Sequence, residues 1–127
     1  TIASMPKKER SDLMKGHTFD LGIARWGPDY ADPMTYMTLW LSTSASYNYG
    51  LWNNPEYDTL INGVTNGEFD AEGRWATFKQ AEKLVASDYV IYPLYQTCDA
   101  TLIKTNVTGV EFHTVGLNRV FIRAVIA

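Results

Sequence analysis

Apolar and polar positions along this chain switch between a helical and an alternating spacing. Residues 6–16, "PKKERSDLMKG", predict a short helix: Pro6 suits a first-turn position, Leu13 and Met14 give an apolar side, and Gly16 fits a C-terminal cap. "HTFDLGIARW" (17–26) then alternates and becomes apolar, as a half or fully buried strand does, until Gly27 and Pro28 break it. Asp32 before Pro33 is a helix-start signal, with Asp as N-cap and Pro at the first helical position. That helix runs through "PMTYMTLWL" and dissolves into a polar, aromatic loop, "STSASYNYGLW". Asn54-Pro55 repeats the signal for "PEYDTLINGV", and Asp70 opens the longest helix, "AEGRWATFKQAEKLVAS". In it Trp75, Phe78, Ala81 and Leu84 or Val85 recur at helical spacing, which predicts a core-facing stripe.

The second half reads as strands. "YVIYPLYQ" (89–96) carries Pro93, which suggests an edge or a bulge. "ATLIK" is another strand, "GVEFHTVG" a weaker third and "RVFIRAVIA" a last. Helices mixed with strands in this order imply an α/β or α+β fold, and no interior linker or repeat marks a domain boundary.

Composition narrows the function more than the fold. At 127 residues with 46% hydrophobic and 20% charged positions, the chain suits one soluble domain. A net charge of −3, with scattered basic residues, argues against nucleic acid. No apolar run approaches the roughly 20 residues of a membrane helix. The single cysteine, Cys98, excludes an internal disulfide and a thiolate metal cluster; its apolar, strand-like setting predicts a buried, inert thiol. Aromatics stand out at 13%, and Trp and Tyr line ligand clefts as readily as they fill cores. The start at Thr1, without Met, is read as a removed leader or a piece of something longer.

The candidate chemistry centres on "RWGPDYADP", which puts two carboxylates on the loop after the predicted strand. A glycosidase needs such a pair in different environments at a set separation. Asp32 already has a helix to start, which leaves Asp29 alone. His17 and His113 have no nucleophile elbow beside them, and no zinc, calcium or phosphate-loop motif exists. "NVTG" at 106–109 matches a glycosylation acceptor by spacing alone. Asp29 can be a turn residue capping its own backbone. The alternative is a ligand anchor, since loops beyond the C-terminal ends of strands are where open α/β sheets bind. Flanked by Trp26 and Tyr30, its carboxylate would draw a cation into a partly apolar cleft.

The stretch "FDLGIARWGPDYADPMTYM" closely resembles a signature of the extracytoplasmic solute-binding proteins of peptide-importing ABC transporters, the oligopeptide- and dipeptide-binding family. "WNNPEYDTLING" and "GRWATFKQAEKLVASDYVIYPLYQTCDATLIK" resemble two further segments of that family, in the same order. The resemblance implies an α/β fragment from the C-terminal lobe of a two-lobed, periplasmic-binding-protein-like fold. Residues up to about 95 would be the lobe unit, and about 96–127 strands returning towards the first lobe. The partners it implies are a peptide, a membrane permease and the remainder of a longer parent chain. The place it implies is extracytoplasmic, in the periplasm or lipid-anchored at the outer face of the membrane.

In that family the Asp matching Asp29 salt-bridges the peptide α-ammonium, and the strand matching Ala24 to Gly27 pairs with the peptide backbone. Trp26 would wall the cleft, with Arg25 and Tyr30 beside it and Tyr95 to Thr97 near another part of the pocket. No catalytic residue, metal or cofactor is expected. The family also holds binders of sugars, nickel and haem. A second reading is a carbohydrate-binding or carbohydrate-active protein that stacks sugars on Trp26, Trp40, Trp52 and the tyrosines. A third is a globular piece whose aromatics are all core.

Overall fold

Asn54 and Asp70 start the two helices that hold the core, each through the side-chain bond expected of it. The computed structural model describes residues 2–127. Asn54 Oδ1 accepts the N–H groups of Glu56 (3.0 Å) and Tyr57 (3.2 Å), and Pro55 takes the first helical position of α3, Pro55–Thr65. Asp70 Oδ1 accepts the N–H of Gly73 at 2.8 Å and opens α4, Ala71–Ser87. Earlier in the chain lie α1, Lys7–Lys15, and α2, Met34–Met37, which tightens into a 3-10 turn over Thr38–Trp40. Pro6 and Pro33 stand at the N-caps rather than at the first helical positions expected of them, so each helix begins one residue later and Asp32 is not the N-cap. No helix among the described residues is long and apolar enough to cross a membrane.

The chain divides into two compact units. One holds the chain up to Trp26 together with Pro33–Tyr92; the other holds Gly27–Asp32 together with Pro93–Ala127. The first is helical, and its core is Tyr57, Ile61 and Val64 of α3 against Phe78, Ala81 and Val85 of α4. Met34, Met37, Trp40 and Trp52 close over it. Tyr57 is fully buried; its phenol donates to the Met37 carbonyl at 2.6 Å and its ring meets Trp52 edge-on at 5.0 Å. Burial pushes that phenol's pKa well above its ordinary range, and the Asp58 carboxylate adds to the rise. Asp58 also accepts the backbone N–H of Ser42 at 3.0 Å and the Ser42 hydroxyl, which ties the polar loop to α3.

Three helices end in the same way. After α1, α3 and α4 the chain turns through a left-handed residue: His17 (φ 54), Gly67 (φ 72) and Tyr89 (φ 53). The next residue then donates back to the helix: Thr18 to Leu13, Glu68 to Gly63 and Val90 to Val85, at 3.0–3.1 Å. Glycine was expected to end the first helix, and Gly16 does stand at its cap. The left-handed residue is nevertheless His17, whose ring Nδ1 bonds the Tyr49 carbonyl at 2.8 Å.

The second unit carries four two-residue strands: β1 (Val107–Thr108), β2 (Glu111–Phe112), β3 (Arg119–Val120) and β4 (Val125–Ile126). They nest as two antiparallel pairs, β2 with β3 (Glu111 opposite Val120) inside β1 with β4 (Val107 opposite Ile126). Gly109, at φ 74, links β1 to β2 so tightly that a Cβ there would lie 2.0 Å from the Arg123 carbonyl oxygen. Glu111 pairs with Arg123 at 3.2 Å, and Arg119 reaches Thr101 at 2.9 Å, which fastens the preceding segment. The sequon residue Asn106 is taken up locally, its Nδ2 donating to the Ala127 carbonyl.

Several expectations are corrected. Residues 17–26, 89–96 and 100–104 form no strand, because a strand exists only as part of a ladder and none of them finds a pairing partner among the described residues. "GVEFHTVG" and "RVFIRAVIA" keep only short paired pieces, the latter interrupted by a turn closed from Ala124 to Phe121. Cys98 is exposed rather than buried, for the same want of a covering strand. Trp75 is 55% exposed: the buried stripe runs through Thr77, Phe78, Ala81 and Val85, and at 100° per residue Trp75 falls on its flank. There it still meets Phe78 edge-on at 5.9 Å.

Candidate functional site

The expected site residues fall into both units. Ala24, Arg25 and Trp26 belong to the helical one, and Gly27, Asp29, Tyr30, Tyr95 and Thr97 to the other. In the helical unit, the chain from Phe19 to Trp26 is irregular and mostly exposed. Among the described residues, no backbone hydrogen bond is made by Ile23, Ala24, Arg25 or Gly27. These four exposed residues leave their N–H and C=O groups unpaired along one short run, which is the edge a further strand needs.

One side chain in this run is pinned. The Trp26 indole Nε1 donates to the Thr35 carbonyl in α2 at 2.9 Å, and the Tyr47 ring meets it edge-on with centroids 4.8 Å apart. Arg25 and Ala24 beside it are exposed. Tyr47 comes from the polar loop before α3, and that loop is itself fixed from inside. The buried Asn48 donates to the carbonyls of Leu41 (3.3 Å) and Trp52 (2.7 Å) and accepts the Trp52 N–H (3.0 Å). Sequence reading missed both Thr35 and Tyr47, since nothing local marks a carbonyl in one element and a ring in another as partners of one indole.

In the other unit, Gly27–Asp32 groups with Pro93–Ala127, so the loop of Asp29 and Tyr30 belongs with the segment of Tyr95 and Thr97. Asp29 is exposed, and both it and Asp32 are engaged within the chain. The Asp32 N–H closes a tight turn onto the Tyr30 carbonyl at 2.9 Å. Tyr30 is about half exposed and Tyr95 81% exposed. A Cβ on Gly27 would meet nothing within 4 Å, so the backbone there is open to approach. Among the described residues, no three His, Cys, Asp or Glu side chains gather as a metal site would need.

No protein-family model matches the chain. It is 30% identical over 115 residues to a dipeptide-binding protein of Lactococcus lactis subsp. cremoris, a match that covers 89% of this chain and 21% of that one. The periplasmic oligopeptide-binding protein OppA of Haemophilus influenzae is 32% identical over 98 residues, covering 77% and 18%. The solved substrate-binding domain of an oligopeptide ABC transporter from Bacillus anthracis superposes with a TM-score of 0.79 at 30% identity, over 96% of this chain and 24% of that one. The homologues are peptide-binding proteins of ABC transporters. The chain spans about a fifth of the length of these relatives. Its mixed helix-and-strand fold is that of a piece of their substrate-binding lobe. The relatives are binding proteins rather than enzymes, and nothing in the comparisons supports the carbohydrate reading.

Proposed function

We propose that the chain is part of the substrate-binding component of an ABC importer, taking up oligopeptides outside the cytoplasm and delivering them to a membrane permease. The observation that carries this reading is the open backbone of Ala24 to Gly27, leading directly into the loop of Asp29. A peptide laid along Ala24 to Gly27 takes up the hydrogen bonds of the alternate residues that face it, as an added strand, with affinity that ignores side-chain identity. The Asp29 carboxylate takes the α-ammonium that such a peptide presents. Trp26 forms the wall behind the peptide, with Arg25, Tyr30, Tyr95 and Thr97 as further contacts. The relatives, named for dipeptides and oligopeptides, support the ligand class. Binding and release need no catalytic group, so no enzymatic step is assigned. In the two-lobed parent, residues up to about 95 form part of the C-terminal lobe, and about 96–127 return towards the first.

The test is calorimetric titration of tri- to pentapeptides, free and N-acetylated, into the longest natural chain that carries residues 1–127. Free peptides bind and acetylated ones bind far more weakly. A charge-assisted hydrogen bond contributes about 1.5–3 kcal/mol, so Asp29→Asn weakens free-amine peptides roughly ten- to a hundredfold and leaves acetylated ones unchanged. Equal loss for both makes Asp29 a packing residue. No binding by a folded wild-type chain overturns the peptide reading.

A further inference from the structure

We infer that Tyr47 is a positioning residue of the peptide-pairing segment: it holds the Trp26 ring and thereby fixes which edge of Ala24 to Trp26 is offered to a ligand. The inference rests on the peptide reading for its consequence, but the contacts that carry it, among Trp26, Thr35, Tyr47 and Asn48, lie within the helical unit.

An extended segment without ladder bonds has little to keep it in one orientation, and side-chain direction alternates along it. A rotation about the chain axis turns its hydrogen-bonding edge away from a ligand. Among the described residues, no side chain or backbone group of Ile23, Ala24 or Arg25 is hydrogen-bonded elsewhere. Trp26 therefore sets the orientation, and two contacts set Trp26. The Nε1–H bond to the Thr35 carbonyl (2.9 Å) fixes one point of the ring, which can still tilt about that bond. The Tyr47 ring, edge-on at 68° and 4.8 Å, removes the tilt.

Tyr47 can do this because its own backbone is held. The next residue, Asn48, is 3% exposed and uses both amide groups on the carbonyls of Leu41 and Trp52 and the N–H of Trp52. The loop 41–52 is thus closed at its neck and carries Tyr47 on its outer side, 43% exposed. A tyrosine so exposed is not retained by burial; its contact is with Trp26. Among the described residues the phenol hydroxyl makes no hydrogen bond, so the contact with Trp26 is made by the ring.

The experiment compares wild type, Tyr47→Phe and Tyr47→Ala in the longest natural chain that carries residues 1–127. Two readouts are taken: hydrogen exchange of the Trp26 indole by NMR, and titration of tri-alanine with its N-acetyl form. Tyr47→Ala speeds indole exchange and weakens tri-alanine about three- to tenfold, as loss of an edge-to-face pair predicts. The ratio between free and acetylated peptide stays as in wild type, because that ratio belongs to Asp29. Tyr47→Phe keeps the ring and matches wild type in both readouts. Unchanged indole exchange in Tyr47→Ala overturns the inference whether or not peptide binds. Faster exchange with unchanged affinity also overturns it, since Trp26 would then not orient the edge. A loss in Tyr47→Phe equal to that in Tyr47→Ala makes the hydroxyl a direct ligand contact instead. If wild type binds no tri-alanine while indole exchange responds as expected, the peptide reading has failed and the Tyr47–Trp26 clamp survives as a structural device only.

Discussion

The Tyr57 phenol donates to the Met37 carbonyl at 2.6 Å and so joins α3 to the last residue of α2. Tyr57 is fully buried, so its hydroxyl has no water to fall back on. Tyr57→Phe keeps the ring against Trp52 but leaves the carbonyl unpaired, at a cost of about 1–3 kcal/mol. Urea unfolding followed by tryptophan emission measures it. A loss below a few tenths of a kcal/mol means that the carbonyl finds another donor.

The same phenol sets an alkaline limit. Its folded-state pKa is raised by burial and by Asp58, whereas the unfolded chain titrates near about 10. Above that pH the unfolded state gives up its proton first. Stability is therefore full below about pH 10 and declines as pH rises beyond it. Thermal melts between pH 8 and 12 show this slope, and Tyr57→Phe, already lower throughout, shows less of it. Equal slopes in the two proteins would assign the alkaline loss to other groups.

Tyr89 and Gly67 occupy the same left-handed position after α4 and α3, and opposite substitutions there have opposite outcomes. An L side chain in this region is strained by roughly 1–2 kcal/mol, partly offset by the greater freedom of glycine in the unfolded chain. Tyr89→Gly is therefore expected to gain about 0.5–1 kcal/mol, since its side chain is 85% exposed and loses little packing. Gly67→Ala loses about 1 kcal/mol although nothing crowds it. Denaturation midpoints of the two variants decide the matter, and a Tyr89→Gly midpoint below wild type would mean that the ring has a packing role.

Gly109 is irreplaceable for a second reason beyond its positive φ. Any Cβ would overlap the Arg123 carbonyl, so the turn from β1 to β2 has to open. Gly109→Ala is expected to release the β1–β4 pair, seen as faster amide exchange at Val125 and at Ala127, whose N–H donates to the Asn106 carbonyl, while the exchange of α3 and α4 amides holds. Unchanged exchange at those strands would show that the turn relaxes around the methyl.

Signals that act within a few residues were legible in the sequence. Asn54 and Asp70 each satisfy an N–H two or three positions on, and a reader needs only the local string to see it. The failures are of contacts made at a distance. "FDLGIA" has the composition of a strand, but pairing is decided by a second segment, and composition cannot tell whether one is present. Trp75 was placed one flank too far inward because the stripe was centred on the aromatics rather than on small residues such as Ala81. The break at Gly27-Pro28 did put Asp29 on a loop. The pin on Trp26 was invisible because its acceptor is a backbone carbonyl nine residues away, a group every residue possesses.

The unpaired backbone from Ile23 to Gly27 has a cost when no ligand is at hand. An open edge does not distinguish a cargo peptide from a strand of a neighbouring molecule, and the exposed Leu21 and Ile23 next to it add apolar surface to that encounter. On the peptide reading proposed above, self-association through this edge would compete with peptide in proportion to the chain's own concentration. Peptide in the medium would then keep molecules apart as well as fill the site.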